Sequence, residues 1–172
     1  MIKRILVPVD FSDPSLQALD YAIDFARQRR SELIVLHVVE PVYYPVAGEL
    51  YGVGYDLGSV YDEIERAART RLSRLTGALR KRRVAARGLI SLGAAPQVIV
   101  ETAKKLKADL IILSTHGRTG LSHVVMGSVA ERVVRTAPCS VLTVPARALG
   151  APRRVRNSRR APPRSARATG RS

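Results

Sequence analysis

Apolar and polar positions alternate along the first 145 residues in two rhythms. Short apolar runs at Ile2–Val9, Leu33–Val39, Val84–Ser91, Leu110–Leu113 and Ser140–Val144 read as strands, the central ones apolar enough to be buried on both faces of a parallel sheet. Between them, apolar residues recur three and four apart, the period of a helix with one buried face. Leu16, Leu19, Ile23 and Ala26 mark such a face up to about Arg30. Ile64, Ala68, Leu72, Leu75 and Leu79 mark a second from about Ser59 to Arg82. Val98, Ile99, Ala103 and Leu106 mark a third starting at Pro96, and Val129–Thr136, opened by Gly127 and Ser128, reads as a fourth. Ser12 suits an N-cap, with Asp13 and Pro14 in the first turn behind it. Strands alternating with helices predict an α/β fold: a single doubly wound open sheet of five parallel strands with four helices in three α/β/α layers.

The candidate chemistry centres on Asp109–Ser128, DLIILSTHGRTGLSHVVMGS. A buried strand, a polar loop with glycines and a helix start follow one another, the layout that turns backbone N–H groups towards a phosphate. Gly117 and Gly127 lack a Cβ, so an anion can approach the main chain. Ser128 is able to cap the helix and to donate its hydroxyl, and Arg118 adds a fixed cation. The same layout occurs in α/β proteins with no ligand there, and the glycines alone leave both readings open. Neither a Walker A loop nor a G-x-G-x-x-G fingerprint is present. Asp10 lies just past the end of a strand, where open α/β sheets bind ligands, and it equally suits a turn or capping aspartate. His37, alone in an apolar strand, reads as a satisfied core residue. The tyrosines of 41–59 read either as a lid over a ligand or as cover for the domain edge.

Composition narrows the function classes. There is no G-x-S-x-G elbow, although Asp10, His116 and Ser128 can be put together on paper as a triad. H-E-x-x-H and Cys/His clusters are missing, so no metal site is expected, and Mg²⁺ enters only as the companion of a nucleoside triphosphate. The single cysteine, Cys139, fits a reducing cytoplasm and reads as packing rather than catalysis. No run of about 18 apolar residues occurs, so no membrane helix is expected, and Met1–Arg4 leads straight into a strand without the form of a signal peptide. The net charge is +15, but nine arginines and no acid follow Pro145, which leaves +6 for the rest. Residues 147–172, rich in Arg, Pro, Ala and Ser, are expected to be a disordered basic tail beyond a domain of 1–146. Such a tail either binds polyanions weakly or serves solubility alone.

The run STHGRTGLSHVVMGSVAERVVRTAPCSVLTV resembles the C-terminal half of a universal stress protein domain, and KRILVPVDFSDPSLQAL resembles its opening. Nucleotide-binding members carry Gly, two residues, Gly, nine residues, Gly, then Ser or Thr. Ser114, Gly117, Gly127 and Ser128 keep that spacing, with Ser114 in place of the first glycine. The resemblance implies ATP as ligand. Gly117, Arg118, Gly127, Ser128 and Val129 would serve the phosphates, the Pro8–Val9–Asp10 turn the ribose or base, and the backbone of Val38 the adenine. Leu113 and Ser114 complete the set. The function implied is that of an ATP-binding regulatory module in the stress response. Two further readings remain open: a slow ATPase on the same fold, and a member that binds no nucleotide and acts through protein contacts. The resemblance also implies a homodimer through Ser140–Val144, whose apolar, β-branched edge is of the kind that pairs with another chain.

Overall fold

The computed structural model describes residues 1–40, 57–116 and 126–145. The elements run β1 (Arg4–Pro8), α1 (Asp13–Arg29), β2 (Glu32–Val39), α2 (Leu57–Lys81), β3 (Ala86–Leu92), α3 (Ala95–Lys105), β4 (Leu110–Ser114), α4 (Ser128–Thr136) and β5 (Ser140–Val144). All strand pairs are parallel, in the order β3-β2-β1-β4-β5. The five-stranded doubly wound sheet and its four helices are those read from the sequence. The main shift is β3, which starts two residues later than expected because Arg82 and Arg83 still belong to the turn that ends α2.

The strands earn their central position by being apolar on both faces. Ile5, Val7, Leu33, Val35, Leu110 and Ile112 point to one side, where α1 and α2 cover them with Ala18, Leu19, Ala22, Ile23, Leu72 and Leu79. Leu6, Ile34, Leu36, Ile111 and Leu113 point to the other, against Ile99 and Ala103 of α3 and Ala130 and Val133 of α4. At about 25 cal/mol per Å² of apolar surface, burying each large side chain contributes roughly 1.5–3 kcal/mol. A Cβ on Gly88 of β3 would stand 2.7 Å from Leu72 Cγ, so this position has to be bare for α2 to lie on the sheet. Ile64, placed by its spacing on the buried stripe of α2, is instead 41% exposed.

Ser12 is the N-cap of α1, as its position suggests, and its side chain accepts from Ser15 N. Three turns that lead from a helix into a strand share one device. Arg30, Arg83 and Lys107, after α1, α2 and α3, all adopt left-handed backbone, with φ of 55°, 59° and 49°. Side chains cost roughly 1–2 kcal/mol there relative to ordinary backbone, and glycine avoids that cost. At the same sheet edge Asp109 ties β4 to the start of β1. Its Oδ2 accepts from Lys3 N at 2.7 Å and Arg4 N at 2.8 Å, and its own N–H donates to Arg4 O at 2.9 Å.

The N–H groups of Arg4 and Lys3 hold the Asp109 carboxyl below the usual carboxylate range. A depressed folded value stabilises the fold above the ordinary carboxylate pKa, and the contribution disappears as pH falls through that range to the folded value. Asp109→Asn should therefore cost about 1 kcal/mol at neutral pH, because hydrogen bonds to a charged acceptor weaken to neutral ones. The melting curves of the two proteins should converge as pH falls below the ordinary carboxylate range and through the lowered folded value. A deficit independent of pH would contradict this account.

Candidate functional site

Strands β1 and β4 are neighbours, yet the helices that follow them leave to opposite faces: α1 joins α2, and α4 joins α3. The sheet therefore opens at its C-terminal edge, where doubly wound folds take ligands. A cleft of about 770 Å³ occupies this place. Pro8, Val9, Asp10, Val38, Leu113, Ser114, Gly127, Ser128 and Val129 all line it. Nine positions from four separate stretches of sequence are thus brought into one cavity. Gly117 and Arg118, the other two candidates, lie outside the described residues, as do 41–56 of the tyrosine-rich stretch and the tail from 146 onwards.

Local hydrogen bonds fix the floor. Val9 N donates to Leu36 O at 2.8 Å. His37 Nδ1 is 2.8 Å from Val9 O. A carbonyl only accepts, so Nδ1 carries the proton there. His37 is buried and satisfied, as expected of a core histidine, but it also lines the cleft, which its sequence context did not reveal. Its ring lies tilted by 42° against Phe11, 4.6 Å between centroids, and the Arg71 guanidinium of α2 sits over the Phe11 ring, 4.5 Å from its centroid. Phe11 has a φ of 62°, a strained turn that this packing holds in place. Asp10 proves to be a turn aspartate: its Oδ1 accepts from Ser12 N at 3.0 Å and from Ser12 Oγ at 2.5 Å.

The opposite wall is the start of α4. Gly127 N donates to Thr115 O at 2.7 Å, and a Cβ at Gly127 would meet that carbonyl at 3.1 Å. The bare backbone lets the helix start press against the end of β4. Ser114 Oγ donates to His116 O at 2.5 Å, and Thr115 Oγ1 pairs with His116 Nδ1 at 2.8 Å, which closes the turn out of β4. The His116 ring is thereby held by its neighbour Thr115. One expectation fails here. Ser128 does not cap α4: Gly127 is the N-cap, and it brings no side chain to the helix start. Ser128 is the first helical residue, one position too late for its hydroxyl to fold back on the following N–H groups.

Three of the helix starts at this end, those of α1, α3 and α4, differ in how they are capped. Ser12 caps α1. Ala94 offers no side-chain cap to α3, but Glu40, at the end of β2, reaches across and accepts from Ala95 N at 3.0 Å. The α4 start alone of these three has no side-chain acceptor among the described residues. It opens into the cleft at Gly127, Ser128 and Val129. A helix start carries roughly half a positive charge and unpaired donors, so it favours an anion. Ile64, Ala95, Ile99 and Ala130 add apolar wall that the search for polar motifs passed over. Cys139 packs, part-buried, on the α3/α4 side, where burial pushes its thiol pKa up, away from a nucleophile's range.

The Universal stress protein family model matches residues 1–145. Universal stress protein MJ0531 of Methanocaldococcus jannaschii is 33% identical over 144 residues, 84% of this chain and 82% of that one. The solved structure of MJ0577, from the same organism, covers 86% of this chain and 99% of its own, with a TM-score of 0.73 at 27% identity. A universal stress protein solved in complex with cAMP shares the fold at a TM-score of 0.62 and 23% identity, over 83% of this chain and 97% of that one. The matched span takes in the opening strand, the cleft between β1 and β4 and the closing edge strand, and the chain belongs to the universal stress protein family.

Proposed function

We propose that the cleft binds an adenine nucleotide, with ATP as the leading ligand, and that the chain acts as a nucleotide-responsive regulatory module. The observation that carries this reading is the start of α4, which has no side-chain acceptor among the described residues and opens on a cavity between two diverging helices. A volume of about 770 Å³ suits a ligand of nucleotide size. The family member solved with cAMP supports an adenine nucleotide as the ligand class. In this reading the phosphates lie at Gly127, Ser128 and Val129, joined by Gly117 and Arg118 from the adjoining loop. The ribose and base lie towards Pro8, Val9, Asp10 and Val38, with Leu113 and Ser114 between the two ends. Mg²⁺ would come with the triphosphate.

Calorimetry with ATP and with adenosine separates the two ends of the cleft. Gly127→Val places a branched side chain against Thr115 O and the anion, and ATP affinity should fall at least tenfold, about 1.4 kcal/mol. Ser128→Ala should cost ATP about 1 kcal/mol, leave adenosine unaffected, and leave the melting temperature unchanged, since the hydroxyl is not a cap. Arg118→Ala should likewise weaken ATP more than adenosine, and Asp10→Ala should weaken both. Equal losses for ATP and adenosine in Ser128→Ala would contradict the placement of the phosphates.

We further propose that β5 pairs with its counterpart in a second copy of the chain. It is the outer strand beside β4, and Val144 O accepts from Thr115 N. Backbone groups alternate sides along a strand, so Leu142 also faces β4, while Val141 and Thr143 turn their N–H groups to the open edge. Val144 is buried within the monomer, so its replacement would test folding rather than pairing. Thr143→Pro removes an outward donor only, and light scattering should show it shifted from dimer to monomer with the melting profile of the monomer intact. A wild-type chain that is monomeric at micromolar concentration would refute the pairing.

A further inference from the structure

We propose that the sheet edge opposite the cleft is a docking surface for the phosphate backbone of a nucleic acid. In a parallel α/β sheet every helix ends at this edge, and here the helices end in cations: Arg27 and Arg29 in α1, Arg80 and Lys81 in α2, Lys104 and Lys105 in α3. The turns that follow continue the pattern. Arg30, Arg83 and Lys107 place a charged side chain at the left-handed position where glycine is conformationally cheapest. Among the described residues these are three of the four non-glycine residues with positive φ.

The cations form one surface. Arg27 Nη2 donates to Arg82 O at 3.1 Å, which joins the ends of α1 and α2 and brings Arg29, Arg30, Arg82 and Arg83 together in solvent. The end of α3 lies on the other face of the sheet, so the charge spans the full thickness of the domain. The carboxylates at this edge are engaged: Asp109 accepts from the backbone of Lys3 and Arg4, and Glu32 pairs with Arg87 at 2.8 Å. The ion pairs among the described residues use Arg69, Arg87 and Arg135, and none uses the cations at the ends of α1, α2 and α3 or in the turns that follow them. Attraction to the helix dipole accounts for one or two cations in the last turn, since its field falls off within that turn. It does not account for the unbroken run Arg80–Arg83 or for cations in three strained turns. The partner that matches is a chain of regularly spaced anions that accept forked donors, and arginine predominates in the cluster. Contacts of this type hold the backbone without reading bases, so binding should be indifferent to sequence.

The turn residues supply a clean test. Replacing Arg30, Arg83 and Lys107 together by glycine removes three charges and relieves left-handed strain, so the full chain should melt no lower than wild type. All nine arginines after Pro145 stay in place. Binding to a fluorescent DNA duplex of mixed sequence, followed across salt concentrations, should show a log–log slope shallower by about 2–3 and at least tenfold weaker affinity at low salt. Should the glycine variant fail to fold, the combination Arg29→Gln, Arg80→Gln and Lys104→Gln removes three exposed charges of the same edge and should give the same change. Slope and affinity equal to wild type would assign DNA binding to the arginines after Pro145 and overturn the proposal. So would a wild-type chain that ignores DNA and binds only vesicles containing phosphatidylserine.

Discussion

The pairing of β1 with β4 is the contact on which the molecule depends. It joins Ile5 to Leu110 and Leu6 to Ile111 between residues more than a hundred positions apart, and it seats the chain's first strand at the centre of the sheet. It also forces the cleft. Two adjacent strands whose helices depart to opposite faces leave no helix to cover the gap above them. The backbone groups at the strand ends and the start of α4 are then turned into the same opening. Asp109 holds the far end of the same pair, so one interaction fixes both the core and the geometry of the cavity.

Charge follows the topology. Parallel strands send every helix start to one edge and every helix end to the other. At the cleft edge the starts of α1 and α3 are met by Ser12 and Glu40, while the start of α4 has no side-chain acceptor among the described residues. At the opposite edge the helix ends carry arginine and lysine, continued through left-handed turns. The result is a domain with two electrostatically different ends. One is a confined pocket suited to a small anion and the other an open basic surface.

Much of this was legible in the sequence because its signals are local. The apolar runs set the strands, Ser12 and Pro96 mark helix starts, and β5 falls on the predicted residues. The nine described site candidates meet in one cleft because strand ends in a parallel sheet share an edge. What was misread depends on distance or on a single register position. Glu40 caps a helix 55 residues away, which no local pattern announces. Gly127 takes the cap position from Ser128 because the helix begins one residue earlier than a serine cap requires. Ile64 keeps the spacing of a core residue but lies where the underlying sheet gives way to the cleft. His37 is both core and cleft wall, a duality that an apolar strand conceals.

The central claim is that the opening between β1 and β4 holds an adenine nucleotide. It is tested most directly by denaturing the purified chain and analysing the small molecules released, followed by calorimetric titration of the nucleotide-free protein with ATP, ADP and AMP in the presence of Mg²⁺. The account predicts a released adenine nucleotide, or saturable one-to-one binding tighter than about millimolar once the site is empty. A chain that releases no nucleotide and binds none of the three at millimolar concentration would contradict it.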